Sequence, residues 1–235
     1  MTKRLEGRVA LVTGASRGIG FAVAERLARE GAHVIAVART VGGLEELDDV
    51  IQEAGGSATL VPLDLLDYPG IDRLGGAVAE RWGRLDVLVG NAATLGALSP
   101  VGHFSPEDWE RVFALNVTAN WRLIRSFDAL LRASDAGRAM FVTSGAAHAF
   151  VPYWSAYAAS KAALETMVRT YAAEMDKTSV RTNLIIPGII RTAMRAQAFP
   201  GEDPMTLPEP ASITGIFVEL AETSCSRNGE TVVAG

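Results

Sequence analysis

The chain has 235 residues, of which 49% are hydrophobic and 21% are charged, and its formal net charge is −5 at pH 7. This length and composition suffice for one α/β domain with a substantial core. The acidic balance and the absence of a basic run argue against a nucleic-acid-binding protein.

Cysteine usage and hydropathy further limit the classes of protein to which the chain can belong. The single cysteine, Cys225, cannot form an internal disulfide, and no Cys/His cluster has metal-ligand spacing, so we expect no metal. No stretch approaches the length of a membrane span, and no signal-like apolar segment follows the charged start. We therefore expect a cytoplasmic protein without a membrane partner.

The chain opens with a strand, a glycine-rich turn and a helix. Residues 9–12 form a short apolar run typical of a strand buried on both faces of a parallel sheet. The turn carries glycines spaced Gly-x-x-x-Gly-x-Gly, and an amphipathic pattern follows it. This arrangement indicates a dinucleotide phosphate cradle at a helix N-terminus. We predict cofactor contacts from Gly14, Ser16, Arg17, Gly18, Ile19 and Gly20.

Apolar runs then alternate with helical patterns, which is typical of βαβ units and a parallel sheet. Strands are predicted at 9–12, 33–38, 58–62, 87–89, 139–143, 180–186 and 230–233. Helices are predicted at 18–30, 43–54, 71–82, 106–133, 155–176 and 208–223. Residues 199–210 contain four prolines and no periodicity, which predicts a loop. No linker divides residues 1–235, so we expect one domain.

The end of the second predicted strand bears on cofactor choice. An NAD-binding unit has an acidic residue there for the adenosine ribose, but no acid precedes Glu45. Arg39 follows the strand directly, and Arg17 lies in the glycine turn. Guanidinium groups suit a 2′-phosphate, so we predict NADP(H) in preference to NAD(H).

The predicted helix at 155–176 carries Tyr157 and Lys161, which share one face because they are four residues apart. An ammonium beside a phenol favours the phenolate, so we expect the pKa of Tyr157 to lie below its usual value of about 10. Such a group suits general acid–base catalysis. Tyr-x-x-x-Lys alone also arises by chance on amphipathic helices.

Six motifs in this order and approximate spacing make the chain resemble the short-chain dehydrogenase/reductases. They are Thr13-Gly14-x-x-x-Gly18-Ile19-Gly20, Asn91-Ala92, Asn116, Ser144, Tyr157-x-x-x-Lys161 and Pro187-Gly188-x-x-x-Thr192. The resemblance implies a three-layer, doubly wound parallel sheet of about seven strands (the Rossmann fold). It also implies NAD(P)-dependent interconversion of a carbonyl and an alcohol.

By the same resemblance, Tyr157 is the general acid/base, Lys161 assists it, and Ser144 donates to the substrate oxygen. Asn116 bends its helix and holds a water that relays protons to Lys161. Further cofactor contacts are implied for Asp64, Leu65, Asn91, Ala92, Tyr157, Lys161, Pro187, Gly188, Ile190 and Thr192. The chain departs from the family pattern at Gly90 and Ala93, which replace an asparagine and a glycine.

Several alternatives stay open. A non-catalytic NADP(H)-binding sensor or scaffold competes with an enzyme, and a 3-oxoacyl-type reductase competes with a general ketone or aldehyde reductase. Phe150, Tyr153 and Trp154 either line an apolar substrate pocket or pack against the core, and His148 is more commonly structural than a substrate contact. The resemblance further implies a homodimer or homotetramer that acts on a small molecule.

Overall fold

Seven parallel strands form one sheet in the order β3-β2-β1-β4-β5-β6-β7. The computed structural model describes residues 3–234. The strands are β1 Val9–Thr13, β2 His33–Ala38, β3 Ser57–Pro62, β4 Val87–Gly90, β5 Arg138–Val142, β6 Arg181–Ile186 and β7 Thr231–Val233. The predicted doubly wound parallel sheet is confirmed, and we propose that residues 1–235 form one domain around it.

Eight α-helices accompany the sheet within residues 3–234. They are α1 Gly18–Arg29, α2 Val41–Glu53, α3 Tyr68–Trp82, α4 Pro106–Phe113, α5 Ala119–Ala133, α6 Ser155–Glu174, α7 Ala193–Ala198 and α8 Thr214–Ala221. None of these helices has both the length and the apolar character needed to cross a membrane.

The helices cover the sheet on both faces, which explains why its central strands β1 and β4 are buried along their whole length. On one face, Leu27 of α1, Leu44 of α2 and Phe217 of α8 are fully buried in a single core. On the other face, Ile71 of α3 and Phe127 of α5 belong to a second core. The sheet therefore lies between two helical layers, as a Rossmann-like fold requires.

The segment predicted as one helix over 106–133 is interrupted. A π-helical turn, Ala114–Thr118, separates α4 from α5, and Asn116 lies at its centre. Such a turn widens the backbone by one residue and is frequent at functional sites. The backbone at Asn116 is therefore a π-turn between two helices, and a bend of the helix axis there stays a prediction.

The segment after β6 is more ordered than its composition suggests. The short helix α7 precedes the proline-rich stretch, and a 3₁₀ turn, Pro204–Thr206, lies within the stretch predicted as a loop. A second 3₁₀ turn, Pro210–Ile213, leads into α8, which is shorter than the predicted helix over 208–223. Thr192 caps α7, because its hydroxyl accepts a hydrogen bond from the Arg195 amide at 3.1 Å.

The strand order reverses between β1 and β4, which pair with each other. From β1 the chain builds outward to β2 and β3 on one side, and from β4 to β7 on the other. In open α/β sheets, ligands bind outside the carboxyl ends of the strands at such a switch point. The glycine turn after β1 and the segment after β4 meet there.

Gly90, at the end of β4, has a packing reason to lack a side chain. A Cβ at this position would lie 2.4 Å from Cδ1 of Phe141 and 2.6 Å from Oδ1 of Asn120. Asn120, on α5, donates from Nδ2 to the carbonyl of Asn116 at 2.9 Å. The side chains of Phe141 and Asn120 therefore fill the space that an asparagine at position 90 would need.

We predict that Gly90→Ala destabilises the fold by about 1–3 kcal/mol, because the added methyl overpacks a rigid core. Denaturant unfolding of the purified variant measures this change. Gly76→Ala is the matched control, since Gly76 is exposed within α3 and its Cβ would meet open space. That change should stabilise by roughly 0.5–1 kcal/mol. Equal effects of the two substitutions would contradict the packing argument.

Candidate active site

A cleft of about 1140 Å³ opens at the carboxyl ends of the strands, around the switch point. Its wall contains all but two of the residues predicted for the site. The wall includes Gly14, Ser16, Arg17, Gly18, Ile19, Arg39, Asp64, Leu65, Asn91, Ala92, Ser144, Tyr157, Lys161, Pro187, Gly188, Ile190 and Thr192. Gly20 and Asn116 lie behind the wall. The sequence motifs, which are spread over most of the chain, thus meet in one place.

The glycine turn has the geometry of a phosphate cradle. Gly14 and Gly18 have φ values of 68° and 59°, a left-handed conformation that side chains disfavour. A Cβ on Gly20 would lie 2.2 Å from the carbonyl oxygen of Gly14, so Gly20 lets the turn pack closely against α1. No side chain caps the N-terminus of α1, and its first turn contains no acidic residue. The amides left without a side-chain cap and the positive helix end therefore suit an anion.

Thr13 ties the glycine turn to the segment after β4. Its hydroxyl donates to the carbonyl of Val89 at 3.2 Å and accepts from the amides of Asn91 and Ala92 at 3.0 and 3.1 Å. The side chain of Asn91 donates to the Thr13 carbonyl at 2.9 Å. Asn91 thus braces the two sides of the switch point as well as lining the cleft.

Two arginines lie at the end of the cleft formed by β1 and β2. Arg17 and Arg39 are both exposed. Nη1 of Arg39 lies 3.9 Å from Oδ2 of Asp64, and both side chains are about half exposed. A pair this exposed contributes little free energy, so Arg39 can leave Asp64 for a more highly charged anion at small cost.

Asn116 is fully buried in the π-turn, and its side chain is occupied. Its Oδ1 accepts from the Thr94 amide at 2.9 Å, and its Nδ2 donates to the Thr94 carbonyl at 2.9 Å and to Oγ of Ser160 at 3.0 Å. These bonds join the π-turn, the loop after β4 and helix α6. The main-chain carbonyl of Asn116 accepts from Nδ2 of Asn120 at 2.9 Å, and the role of Asn116 in holding a water stays a prediction.

Tyr157 and Lys161 lie on the first turns of α6 and are both nearly buried. Nζ of Lys161 is 5.7 Å from the centre of the Tyr157 ring. Burial raises the pKa of Tyr157 above its usual value, and the interaction with the Ser144 hydroxyl opposes that rise. This direction is opposite to the one expected from the Tyr-x-x-x-Lys spacing, because desolvation of the phenolate dominates.

Lys161 is anchored to the strand that leads to Ser144. Its Nζ donates to the carbonyl of Val142, the last residue of β5, at 2.8 Å. Burial lowers the pKa of Lys161 to about 8, and the negative charge of Glu165 opposes this shift. The ammonium therefore loses its proton far more readily than an exposed lysine does.

His148 and Glu165 are connected behind Ser144. Nε2 of His148 lies 3.1 Å from the carboxylate of Glu165, which is itself buried. His148 does not line the cleft, so its structural interpretation is favoured over a substrate contact. Helical spacing puts Glu165 on the face of Tyr157 and Lys161, but a position four residues past Lys161 does not by itself indicate which groups it binds.

An aromatic group stands at the Tyr157 end of the cleft. The ring centres of Trp154 and Tyr157 are 5.9 Å apart, and those of Trp154 and Phe199 are 5.7 Å apart. Trp154 and Phe199 line the cleft, whereas Phe150 and Tyr153 point to solvent. Tyr153 has a left-handed φ of 74°, and its carbonyl accepts from the Ser99 amide at 3.0 Å. Tyr153 therefore has a backbone conformation that is uncommon outside glycine, directly before the N-cap residue of α6.

Comparisons with known proteins agree with this geometry. Residues 8–203 match the family model described as short chain dehydrogenase. The chain is 39% identical to the oxidoreductase YciK of Escherichia coli K12 over 92% of its own length and 86% of that protein. A short-chain dehydrogenase of Shigella flexneri 2a, solved in complex with NADP, superposes with a TM-score of 0.95 at 37% identity, covering 100% of this chain and 99% of that one.

A short-chain dehydrogenase of Escherichia coli CFT073, solved with NADPH, gives a TM-score of 0.93 at 38% identity, with 100% and 99% of the two chains covered. Members of this family are oxidoreductases that bind a nicotinamide cofactor. The matched family model spans both the glycine turn and the Tyr157–Lys161 helix. The chain therefore belongs to the short-chain dehydrogenase family.

Proposed function

We propose that this oxidoreductase is an NADP(H)-dependent enzyme that interconverts a carbonyl and a secondary alcohol, with Tyr157 as the general acid/base. One observation carries the proposal. Ser144, Tyr157 and Lys161 line the same cleft as the glycine turn, so a proton-transfer group and an anion cradle share one site. A sensor or scaffold has no need for that combination.

The residues of the cleft fit a dinucleotide. The left-handed glycines and the uncapped N-terminus of α1 offer backbone amides for a pyrophosphate. Asp64, Leu65, Asn91 and Ala92 line the neighbouring wall, and Pro187, Gly188, Ile190 and Thr192 line the opposite one. When bound, the nicotinamide supplies or accepts a hydride.

The side chains of the protein then provide the proton and the polar contacts. The raised pKa of Tyr157 keeps its phenol protonated near neutral pH, which suits donation to a carbonyl oxygen during reduction. Ser144 donates a hydrogen bond to the same oxygen as negative charge develops there. Lys161, held at Val142, places a positive charge beside the tyrosine that gives up its proton.

We expect Tyr157→Phe to reduce kcat by about 10²–10⁴-fold, the usual contribution of general acid–base catalysis. Affinity for NADPH should stay within about twofold of wild type, because the aromatic ring remains. Optical measurement of NADPH consumption with a carbonyl substrate and NADPH titration test the two expectations separately. Tyr153→Phe is the control, since Tyr153 lies outside the cleft and should keep wild-type turnover. Retained turnover in Tyr157→Phe would contradict the assignment of Tyr157 as the general acid/base.

The preference for NADP(H) rests on Arg17 and Arg39. Both are exposed at the adenosine end of the cleft, and Arg39 has only a loose pair with Asp64. Two guanidinium groups can hold the 2′-phosphate by charge-assisted hydrogen bonds. The family relatives solved with NADP and NADPH support this choice.

We expect Arg39→Ala to weaken NADPH binding by about 10-fold or more, since a hydrogen bond to a charged group contributes about 1.5–3 kcal/mol. NADH binding should change by less than about twofold, because NADH has no 2′-phosphate. Titration of each variant with both nucleotides gives the comparison. Arg29→Ala is the matched control, because it also removes one surface arginine, at the far end of α1. Equal weakening of both nucleotides by Arg39→Ala would contradict the assignment.

We further propose that the substrate is a neutral carbonyl compound with an apolar or aromatic body. Leu95, Val151, Trp154, Met194 and Phe199 line the Tyr157 end of the cleft. The two arginines of this end are already paired. Arg195 stacks on Phe199 at 3.7 Å and binds Glu202 at 2.6 and 2.7 Å, and Arg191 pairs with Glu209.

With these cations matched, the substrate end favours a neutral ketone over a keto acid or a 3-oxoacyl thioester carrying phosphates. We expect kcat/KM to be highest for a bicyclic aromatic ketone such as 1-tetralone and lowest for an anionic keto acid. Trp154→Ala should lower kcat/KM for the aromatic ketone by about 10-fold while leaving the KM for NADPH unchanged. Measuring kcat/KM for a panel of the aromatic ketone, the keto acid and acetoacetyl-CoA distinguishes these substrate classes. A preference for the thioester would favour the 3-oxoacyl-type reductase.

Self-association stays a prediction. Trp121 on α5 is 44% exposed, and the outer face of α6 carries the exposed residues Ala162, Thr166 and Ala173. These faces suit the homodimer or homotetramer that the family resemblance implies.

A further inference from the structure

Glu165 is a buried carboxylate to which the proposed catalysis assigns no role. Its side chain is 2% exposed, in the middle of α6. Burying a charged carboxylate costs several kcal/mol unless hydrogen-bond donors replace the lost water. The donors that surround Glu165 therefore reveal what this charge holds in place.

Three side chains contact the Glu165 carboxylate, two from the segment that follows β5 and one from α6 itself. The Thr143 hydroxyl donates to Oε1 at 2.8 Å. The ring of His148 lies 3.1 Å from the carboxylate, and Nη2 of Arg169 lies 3.1 Å from Oε2. Arg169 belongs to the same helix and also donates to the Thr231 hydroxyl on β7 at 2.9 Å.

Thr143 and His148 lie on either side of Ser144. The segment from 143 to 148 leaves β5 and forms a 3₁₀ turn, Gly145–His148, with Ser144 as its N-cap. The Ser144 hydroxyl accepts from the Ala146 amide at 3.2 Å. One carboxylate thus binds both ends of the short segment that presents the Ser144 hydroxyl to the cleft.

The carboxylate is carried by the helix that carries the other reacting groups. Tyr157, Lys161 and Glu165 are spaced four residues apart and share one face of α6. Ser144 comes from a separate segment, so its distance from Tyr157 depends on contacts between the two. Glu165 makes that connection with a buried charge, and a shift of either segment would remove two of the three side chains that offset its burial.

We propose that Glu165 is a positioning residue, which clamps the Ser144-bearing segment to the face of α6 that carries Tyr157 and Lys161. The role rests on the proposed oxidoreductase function, because it matters for turnover only if Ser144 and Tyr157 act on one substrate oxygen. A misplacement of about 1 Å in such a site can cost about 10²-fold in rate.

Glu165 also acts on Lys161 through its charge. The titratable groups next to Lys161 on α6 are Tyr157 and Glu165, and β5 contributes the Val142 carbonyl. Burial lowers the pKa of Lys161 to about 8, and Glu165 raises it. The ammonium is present below this pKa and is lost as pH rises through it. Neutralising Glu165 therefore moves the loss of the ammonium to lower pH.

The test is Glu165→Gln, which keeps the shape and can still accept from Thr143, but lacks the charge for His148 and Arg169. We expect kcat to fall about 10- to 100-fold, with NADPH affinity within about threefold of wild type. In kcat/KM for NADPH, which reports groups of the free enzyme, the decline above neutral pH should begin at lower pH than in wild type. Glu174→Gln, an exposed glutamate of the same helix, should leave rate and pH profile unchanged.

Amide hydrogen exchange of residues 144–148 supplies a readout that does not need turnover. Exchange there should accelerate in Glu165→Gln and not in Glu174→Gln, even if the wild-type protein reduces no carbonyl in the panel. If the wild type is inactive but exchange is accelerated in Glu165→Gln, the proposed function is rejected and the clamp by Glu165 is retained. Unchanged exchange and an unchanged pH profile in Glu165→Gln overturn the clamp itself.

A second pair of variants covers the case in which Glu165→Gln does not fold. Thr143→Val removes one donor to Glu165 and keeps the branched shape, while Thr143→Ser retains the hydroxyl. We expect Thr143→Val to lower kcat by about 10-fold and to accelerate exchange in residues 144–148, and Thr143→Ser to restore both. Equal behaviour of the valine and serine variants overturns the proposal.

Discussion

The arrangement of the active site depends on the contact between helix α6 and the end of strand β5. Lys161 donates to the carbonyl of Val142, and Glu165 accepts from Thr143. Both charged groups are buried, so each must keep its partner to offset the cost of losing water. These two contacts hold the helix that presents Tyr157 against the end of β5, where the segment that carries Ser144 begins.

The second requirement is a rigid boundary where β1 and β4 end, formed by the glycine turn after β1 and the segment after β4. The Thr13 hydroxyl takes part in three hydrogen bonds across this boundary, and Asn91 adds a fourth. The boundary departs from the family pattern at Gly90, where Phe141 and Asn120 occupy the space of a larger residue. Asn120 in turn binds the carbonyl of Asn116 in the π-turn. The glycine at position 90 thus fits the side chains of Phe141 on β5 and Asn120 on α5, which are far away in the sequence.

Much of this organisation could be predicted from the sequence, because it depends on short-range patterns. Apolar runs gave all seven strands to within a few residues, and the glycine spacing and Tyr157–Lys161 pair indicated the cleft. The helix α7 was not predicted, because six residues carry little periodicity and its cap at Thr192 has no acidic signal. The direction of the pKa shift of Tyr157 and the partners of Glu165 also could not be predicted, because burial and through-space contacts do not follow sequence spacing.

The contact between Trp154 and Phe199 has a consequence for the pace of the reaction cycle. Trp154 is the partly exposed N-cap residue of α6, whereas Phe199 is the C-cap residue of the short helix α7, where Arg195 stacks on its ring and binds Glu202. For the bulky aromatic substrate proposed above, these two rings form part of the cleft wall that a product leaving on this side would pass. If the proposed substrate binds between these rings, apolar contacts that hold it long enough to react would also slow its release, so tight binding and fast turnover would place opposing demands on Trp154 and Phe199.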